Sequence, residues 1–257
     1  MGKLWLIEGL PGSGKTTFAE MFVARGDAYK FYSEIDEAHP VDVHDVHWVE
    51  GDMRCEGEVI DQDEGGRFVR YQAGAVINGT DVYELPFEKH VDLMIGRWRR
   101  FVERAQMNEA DFVFECALLQ NPFTIGMVSQ NVPNEQIERY IETVAALLAP
   151  LDPTVVYLET NDIPAVFRDV YAERPPEWQR GFVDYYTTRA YARANGLDGI
   201  EGTVRLLEER QRRELKVLSH LPLRTIRLVN DERGAFEAFD LLWNKEDANH
   251  ADTETTF

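Results

Sequence analysis

The residues with the clearest chemical pattern lie near the N-terminus, where residues 9–16 read GLPGSGKT and fit G-x-x-x-x-G-K-[ST]. In such a loop the glycines let backbone N–H groups point at phosphate oxygens, a lysine reaches the β- and γ-phosphates, and a hydroxyl ligates Mg²⁺. The loop stands between an apolar run and a helical pattern, and a helix N-terminus adds positive potential. We expect Mg²⁺ and the phosphates of ATP to be bound by Gly9, Pro11, Gly12, Ser13, Gly14, Lys15, Thr16 and Thr17.

A carboxylate stands near the end of a second apolar run, FVFEC at residues 112–116. This run is typical of a buried strand, and the ligands of open α/β sheets bind at the carboxyl ends of the strands. Glu115 would then share a sheet edge with the phosphate loop and, with Thr16, hold Mg²⁺ directly or through water. A helix N-cap or an ion pair is the alternative role for Glu115.

Two more acids follow the second predicted strand, in YSEIDE at residues 32–37. Glu34 and Asp36 are thereby placed near the same edge, where one of them could accept the proton of an acceptor hydroxyl. Glu34 is slightly preferred because it is the first acid past the strand. A purely solvated role for both is the competing interpretation, since the chain holds 46 acidic residues.

Segment 161–200 is predicted to form a helical lid. Asp162 can cap a helix that contains Arg168, and Arg174 follows. Arginines that close over a nucleotide would stabilise charge on the transferring phosphoryl group and exclude water. Ordinary surface ion pairs are the alternative for both. The predicted catalytic residues are thus Lys15, Glu34, Asp36, Arg168 and Arg174.

The acceptor side is predicted from aromatic and polar residues in the middle of the chain. Aromatic rings with a few polar groups suit a ring-bearing acceptor, although aromatics at helical spacing also fit a core. The candidate substrate-binding residues are Trp48, Tyr71, Arg97, Arg100, Gln120 and Asn121. The segment HPVDVHDVH, residues 39–47, could be a metal site, but its spacing secures no helical ligand pair, and a loop lining the acceptor pocket is favoured.

The elements that must position these residues alternate between apolar runs and helical periodicity, which is typical of an α/β fold with helices on both faces of the sheet. We predict a mostly parallel five-stranded sheet from residues 4–8, 28–33, 112–116, 154–159 and 224–229, and a helix over 16–25. Residues 58–62 and 67–71 flank a turn, which predicts a β-hairpin within an insertion at 49–85. The expected organisation is one domain over 1–245 and a flexible acidic tail over 246–257.

Composition narrows the partners. The 257-residue chain has a formal net charge of −19, which repels nucleic-acid backbones and anionic membrane surfaces. A small anion remains bindable through local N–H groups, a lysine and a metal ion. Two cysteines without a C-x-x-C pattern favour a reducing compartment, and no bilayer-length apolar run occurs. We expect a cytoplasmic protein with a small-molecule acceptor, as a monomer or homodimer.

Three features together resemble the nucleoside, nucleotide and small-metabolite P-loop kinases: GLPGSGKTT at 9–17, FEC at 114–116, and the segment with Arg168 and Arg174. The chain is also similar to bacterial P-loop proteins described only as ATP-binding. The resemblance implies a P-loop NTPase fold with a five-stranded parallel core, an acid after the second strand and a mobile arginine lid. Deoxynucleoside kinases carry Glu-Arg-Ser after the third strand, whereas Cys116 and Ala117 follow Glu115 here.

The sequence thus predicts an ATP- and Mg²⁺-dependent transfer of the γ-phosphate to a hydroxyl of a metabolite, nucleoside or antibiotic. A nucleotide monophosphate kinase is an alternative, since Arg97, Arg99 and Arg100 could meet a phosphate. A non-catalytic or GTPase-type switch is another, because residues 63–66 fit D-x-x-G and residues 244–247 fit N-K-x-D. Both matches are expected to be accidental, since neither follows a buried strand.

Overall fold

Nine strands and eight helices form the described part of a computed structural model, which covers residues 2–26, 28–229 and 240. The strands are β1 (Leu4–Gly9), β2 (Tyr29–Tyr32), β3 (Val46–Glu50), β4 (Glu58–Asp63), β5 (Gly66–Arg70), β6 (Thr80–Asp81), β7 (Asp111–Glu115), β8 (Thr154–Glu159) and β9 (Arg224–Val229). The helices are α1 (Lys15–Val23), α2 (Phe87–Gln106), α3 (Gln120–Pro122), α4 (Asn134–Leu148), α5 (Ile163–Glu173), α6 (Pro176–Thr188), α7 (Ala190–Asn195) and α8 (Gly199–Leu218). A π-helical segment, Phe123–Ser129, continues α3, and a short 3₁₀ turn, Ala149–Leu151, follows α4.

The main sheet has the strand order β2-β7-β1-β8-β9, and every neighbouring pair is parallel. It confirms the predicted five-stranded α/β architecture of the P-loop fold, with strand ends within two residues of those expected. Because all five strands run the same way, their carboxyl ends meet at one edge. β7 lies on one side of β1 and β8 on the other. The order of the strands therefore reverses at β1, and the loop after β1 lies at this switch point of the sheet.

Both faces of the sheet are covered, which explains the continuous apolar runs of the strands. Along β1, Leu4 and Leu6 enter the larger core beneath α2, α4 and α8, while Trp5 and Ile7 face the smaller core with Phe18 and Phe22 of α1. Apolar residues that repeat at helical spacing over 137–148 and 204–218 form the largely buried faces of α4 and α8. None of the helices in the described ranges is long and apolar enough to cross a bilayer.

The predicted hairpin is present as β4 and β5, but it belongs to a larger unit, an antiparallel sheet with the order β4-β5-β3-β6. Sequence reasoning missed β3 and β6. β3 does not alternate, because Val46, Trp48 and Val49 are all buried, and β6 has two residues. The insertion therefore begins at about Val46. The predicted tail at 246–257 lies outside the described residues.

Candidate functional site

The phosphate loop follows β1 directly. Gly9 has φ 150° and Gly12 has φ 84°, conformations that side-chain-bearing residues rarely adopt. A Cβ at Gly9 would stand 2.6 Å from the carbonyl oxygen of Leu158 and 2.7 Å from Oγ of Ser13, so the loop closes only without a side chain there. The backbone N–H of Ser13 donates to the Leu10 carbonyl at 3.1 Å, and α1 begins at Lys15. The residues predicted to bind phosphate thus form one turn leading into a helix N-terminus.

Lys15, Thr16 and Glu115 meet at this loop. The Thr16 hydroxyl donates to Oε1 of Glu115 at 2.5 Å, and the buried Lys15 ammonium donates to the Leu10 carbonyl at 2.9 Å. Burial raises the pKa of Glu115, while the hydrogen bond from Thr16 lowers it. The sheet therefore brings together an ammonium, a hydroxyl and a carboxylate from positions 99 residues apart. A hydroxyl and a carboxylate are oxygen ligands of the kind that Mg²⁺ prefers.

Glu34 lies next to this group, as predicted from its place after β2. Its Oε2 accepts a hydrogen bond from the Gln120 side chain, and its charge is close enough to raise the pKa of Glu115, after the larger effect of burial. Asp36 has a different environment, since its Oδ1 accepts from the backbone N–H of Ala38 at 2.8 Å and closes a turn. Of the two predicted bases, Glu34 is the one beside Glu115 and Gln120.

A second polar cluster lies beyond Glu34 and consists of Asp42, Tyr83 and Asn121. Oδ1 of Asp42 accepts from the Tyr83 hydroxyl and from Nδ2 of Asn121, the latter at 3.0 Å. Asn121 is one of the predicted substrate contacts. Sequence reasoning did not single out Asp42 or Tyr83. It did assign the HPVDVHDVH segment, which contains Asp42, to a loop lining the acceptor pocket. Buried His39 in that segment accepts backbone hydrogen bonds at Nδ1, so it shapes the loop. No set of three or more His, Cys, Asp or Glu residues in the described chain could hold a metal ion.

Glu8, the residue before the phosphate loop, is predicted from sequence only as part of a strand. It is buried, and Oε1 accepts the backbone N–H of Leu118 at 2.6 Å. Burial raises the pKa of Glu8 to about 7, and the charge of Glu214 raises it further, whereas Lys15 opposes the rise. The signal in the sequence is an acid within an otherwise apolar run. Glu8 ties the first strand to the segment that carries Gln120 and Asn121.

Arg210 supports the same segment from behind. It is fully buried on α8, where Nε donates to Glu214 at 2.6 Å and Nη2 donates to the Gln120 carbonyl at 3.3 Å. Nη1 donates to the hydroxyls of Thr124 and Tyr186 at 3.1 and 3.4 Å. One guanidinium therefore joins α8, α6 and the start of the π-helical segment. The periodicity of α8 indicates only a core helix and gives no sign of this role.

The predicted lid region contains α5, α6 and α7. Asp162 caps α5 as expected, accepting the backbone N–H of Ala165 at 2.9 Å. Arg168 pairs with Glu201 at 2.8 Å on the surface, and Arg174 stacks over Trp178 at 5.4 Å. The helix itself reaches the phosphate loop, because a Cβ at Gly12 would lie 3.0 Å from Cγ2 of Val170. Arg168 thus makes the surface ion pair that is its alternative role, on a helix that touches the loop.

The other four predicted substrate residues make contacts with protein groups outside the Glu34–Gln120 pair. Trp48 is 1% exposed and packs on Phe68 in the core of the antiparallel sheet. Tyr71 is exposed beside His47 at the end of β5. Arg97 and Arg100 both donate to Oδ2 of Asp61 at 2.7 Å. Their guanidinium groups are thus paired with an aspartate of the insertion, a partner that the sequence does not reveal.

The two matches to GTPase motifs gain no support. Asp63 is in the turn between β4 and β5, where its Oδ1 accepts the backbone N–H of Gly65 at 2.9 Å. The turn belongs to the antiparallel sheet and not to the carboxyl edge of the parallel one. The N-K-x-D match at 244–247 lies outside the described residues.

No protein-family model and no curated protein sequence matches this chain. Among solved structures, it is similar to a thymidylate kinase from Candida albicans, with 13% identity and a TM-score of 0.47 over 97% of this chain and 92% of that one. It is also similar to the deoxyadenosine kinase from M. mycoides with bound dATP, with 14% identity and a TM-score of 0.46 over 93% of this chain and 98% of that one.

Proposed function

We propose that the protein transfers the γ-phosphate of ATP to a hydroxyl of a small molecule, with Mg²⁺ as cofactor. The observation that carries the proposal is the meeting of Lys15, the Thr16 hydroxyl and the Glu115 carboxylate at a glycine-rich loop on the sheet edge. Nucleotide binding without transfer would need only the glycine-rich loop and Lys15. The position of Glu34, hydrogen-bonded to Gln120 and close to Glu115, supports a transfer reaction, because such a reaction needs a base next to the phosphate site.

The proposed step is an in-line displacement. The acceptor oxygen bonds to the γ-phosphorus, the bond from that phosphorus to the β,γ-bridging oxygen breaks, and ADP leaves. Glu34 takes the hydroxyl proton and afterwards releases it to water. Lys15 and the backbone N–H groups of the loop stabilise negative charge on the phosphoryl oxygens, and Glu34 and Gln120 orient the acceptor. Arg168 and Arg174 would contribute to charge stabilisation only after leaving Glu201 and Trp178.

The residues at the loop fit Mg²⁺. Thr16 and Glu115 bring a hydroxyl oxygen and a carboxylate oxygen side by side, and a hard cation takes oxygen ligands of these two kinds. When bound, Mg²⁺ would neutralise charge on the β- and γ-phosphates. Thr16 and Glu115 are the residues that would hold it, directly or through water.

A combined binding and turnover experiment tests the proposal. Calorimetry should detect Mg²⁺-dependent binding of ATP, and ADP release should rise above the blank when a panel of nucleosides, sugars, nucleotides and antibiotics is supplied. Lys15→Ala should abolish the release in a protein that remains folded. Lys216→Ala is the matched control, since Lys216 pairs with Glu138 on the surface.

Two results would refute the proposal. One is full activity in folded Lys15→Ala protein. The other is clear preference for GTP with no transfer to any acceptor, which would favour the nucleotide-binding switch.

A further inference from the structure

The loop that carries Asp42 is held rigidly. Nδ1 of His39 accepts the backbone N–H groups of Val41 and Asp42 at 3.1 and 2.7 Å. From α2, Arg97 donates to the carbonyls of Val41 and Pro40 at 2.7 and 3.2 Å. The carboxylate of Asp42 is therefore presented by a fixed backbone.

The two oxygens of the Asp42 carboxylate have different environments. Oδ1 accepts three hydrogen bonds, from the backbone N–H of Val43 at 2.7 Å, from Asn121 at 3.0 Å and from the Tyr83 hydroxyl. Oδ2 accepts none from any described residue, although the side chain is 7% exposed. Three donors on one oxygen fix the orientation of the carboxylate, and the other oxygen stays available to a ligand.

The charge of Asp42 has no direct counter-ion in the described chain. None of its hydrogen bonds comes from a lysine or an arginine, and Glu34 is a like-charged neighbour. Arg97 is close enough to interact electrostatically with Asp42, but its N–H groups go to Asp61 and to loop carbonyls. Burial accordingly raises the pKa of Asp42. A cation that binds beside a buried, unpaired carboxylate stabilises it by offsetting the cost of burying its charge.

The arginines around this part of the site are already paired. Arg100 binds Asp61, Arg189 binds Glu84 at 2.9 Å, and Arg210 binds Glu214 at 2.6 Å. An acceptor with a phosphate or carboxylate group would meet Glu34 and Asp42 and would have to break one of these pairs. Negatively charged acceptors are therefore disfavoured.

We propose that the acceptor is a cationic hydroxyl compound, such as an amino sugar or amino alcohol, whose ammonium group binds Oδ2 of Asp42 while its hydroxyl lies at Glu34. This inference rests on the proposed function and adds the substrate class. The two carboxylates then have separate tasks. Asp42 recognises the cation and forms no covalent bond, and Glu34 receives the proton in the transfer step.

Fractionation of metabolites by charge tests the inference whichever compound the acceptor is. A deproteinised extract of bacterial cells is separated by ion exchange at pH 7 into cationic, neutral and anionic fractions, and each is incubated with the protein, ATP and Mg²⁺. ADP release should rise with the cationic fraction. N-acetylation of the amines in that fraction should remove the effect for the wild-type protein.

Variants then test the residue. Asp42→Asn keeps an acceptor oxygen for Tyr83 and Asn121 but removes the charge, and it should lower activity with the cationic fraction about 10- to 100-fold, mainly through KM. Asp45→Asn removes a charge from the exposed neighbouring turn and should retain activity. Turnover of the neutral or anionic fraction, insensitive to Asp42→Asn, would overturn the inference and leave the proposed function standing. No turnover with any fraction, despite binding of ATP, would count against both.

Discussion

Oε1 of Glu8 accepts the backbone N–H of Leu118 at 2.6 Å, whereas Oε2 has no hydrogen-bond partner in the part of the chain described by the structure. The contact joins the end of β1, just before the phosphate loop, to the segment after β7. Because burial raises the pKa of Glu8 to about 7, this carboxyl is largely protonated in the folded protein at mildly acidic pH. Glu8 therefore couples folding stability to pH at the base of the site.

We predict that Glu8 makes the protein less stable as the pH rises. An unfolded glutamate has a pKa of about 4.3, so between about pH 4 and 7 the folded state binds the extra proton, and the free energy of unfolding falls with pH by up to on the order of 3 kcal/mol. Glu8→Gln stays neutral and should remove this contribution. Urea unfolding of both proteins at pH 5 and pH 8 measures it, with exposed Glu109→Gln as the control. Parallel pH dependences of Glu8→Gln and wild type would contradict the prediction.

The parts of the site that follow strand ends could be predicted from sequence. Gly9 and Glu115 end strands that are mostly apolar, and Glu34 comes two residues after β2. Parallel pairing then places all three at one edge, so no tertiary information is needed beyond the fold class.

The remaining contacts are set by pairing between distant segments. Tyr83 is 41 residues from Asp42, and Asp61 is 36 residues from Arg97, with no local pattern linking either pair. The sequence could not distinguish an arginine that meets a substrate from one that meets an aspartate of the insertion. The two-sided burial of β3 likewise hid the strand that carries Trp48.

The contacts of Arg97 lead to a second prediction. Arg97→Met should lower the free energy of unfolding by about 2–4 kcal/mol, because the buried carbonyl of Val41 loses its donor and Asp61 keeps only Arg100. Chemical denaturation measures the change, and exposed Arg99→Met is a control on the same helix. Unchanged stability combined with a higher KM for the acceptor would instead assign Arg97 to substrate binding.

Glu115→Gln should change the Mg²⁺ requirement and leave folding intact. If Glu115 holds Mg²⁺ as proposed, losing its charge should raise the Mg²⁺ concentration needed for half-maximal ADP release by at least about tenfold. Stability should not fall, since burial raises the pKa of Glu115 and the neutral amide avoids that cost. Titration of Mg²⁺ at fixed ATP, with Glu103→Gln as the control, gives the comparison. An unaltered Mg²⁺ dependence would remove Glu115 from the metal site.

Arg210 and Glu214 form a buried pair whose members should be costly to remove singly. Arg210→Met leaves the Glu214 carboxyl group buried without its ion-pair partner, and the free energy of unfolding should drop by about 3–5 kcal/mol. The double variant Arg210→Met/Glu214→Met should recover part of that loss, although the Tyr157 hydroxyl then lacks the Glu214 oxygen that it binds at 2.7 Å. Urea unfolding of the wild type, Arg210→Met, Glu214→Met and the double variant forms a double-mutant cycle. Additive losses would show that Arg210 acts through Gln120, Thr124 and Tyr186 and not through the pair.

Arg168 has two possible roles, a surface ion pair with Glu201 and a contact with the transferring phosphoryl group, and the two predict different results. Its pair with Glu201 is exposed, with 54% and 70% of the side chains accessible, so the pair should add little to stability. α5 already touches the phosphate loop through Val170, and further closure would bring the Arg168 guanidinium to the transferring phosphoryl group. In that case Arg168→Ala should lower kcat at least about tenfold and leave the thermal midpoint of unfolding unchanged. Glu201→Gln should release Arg168 and not lower kcat, and Arg180→Ala controls for an exposed pair on α6. Equal kcat for Arg168→Ala and Arg180→Ala would reduce Arg168 to a surface ion pair.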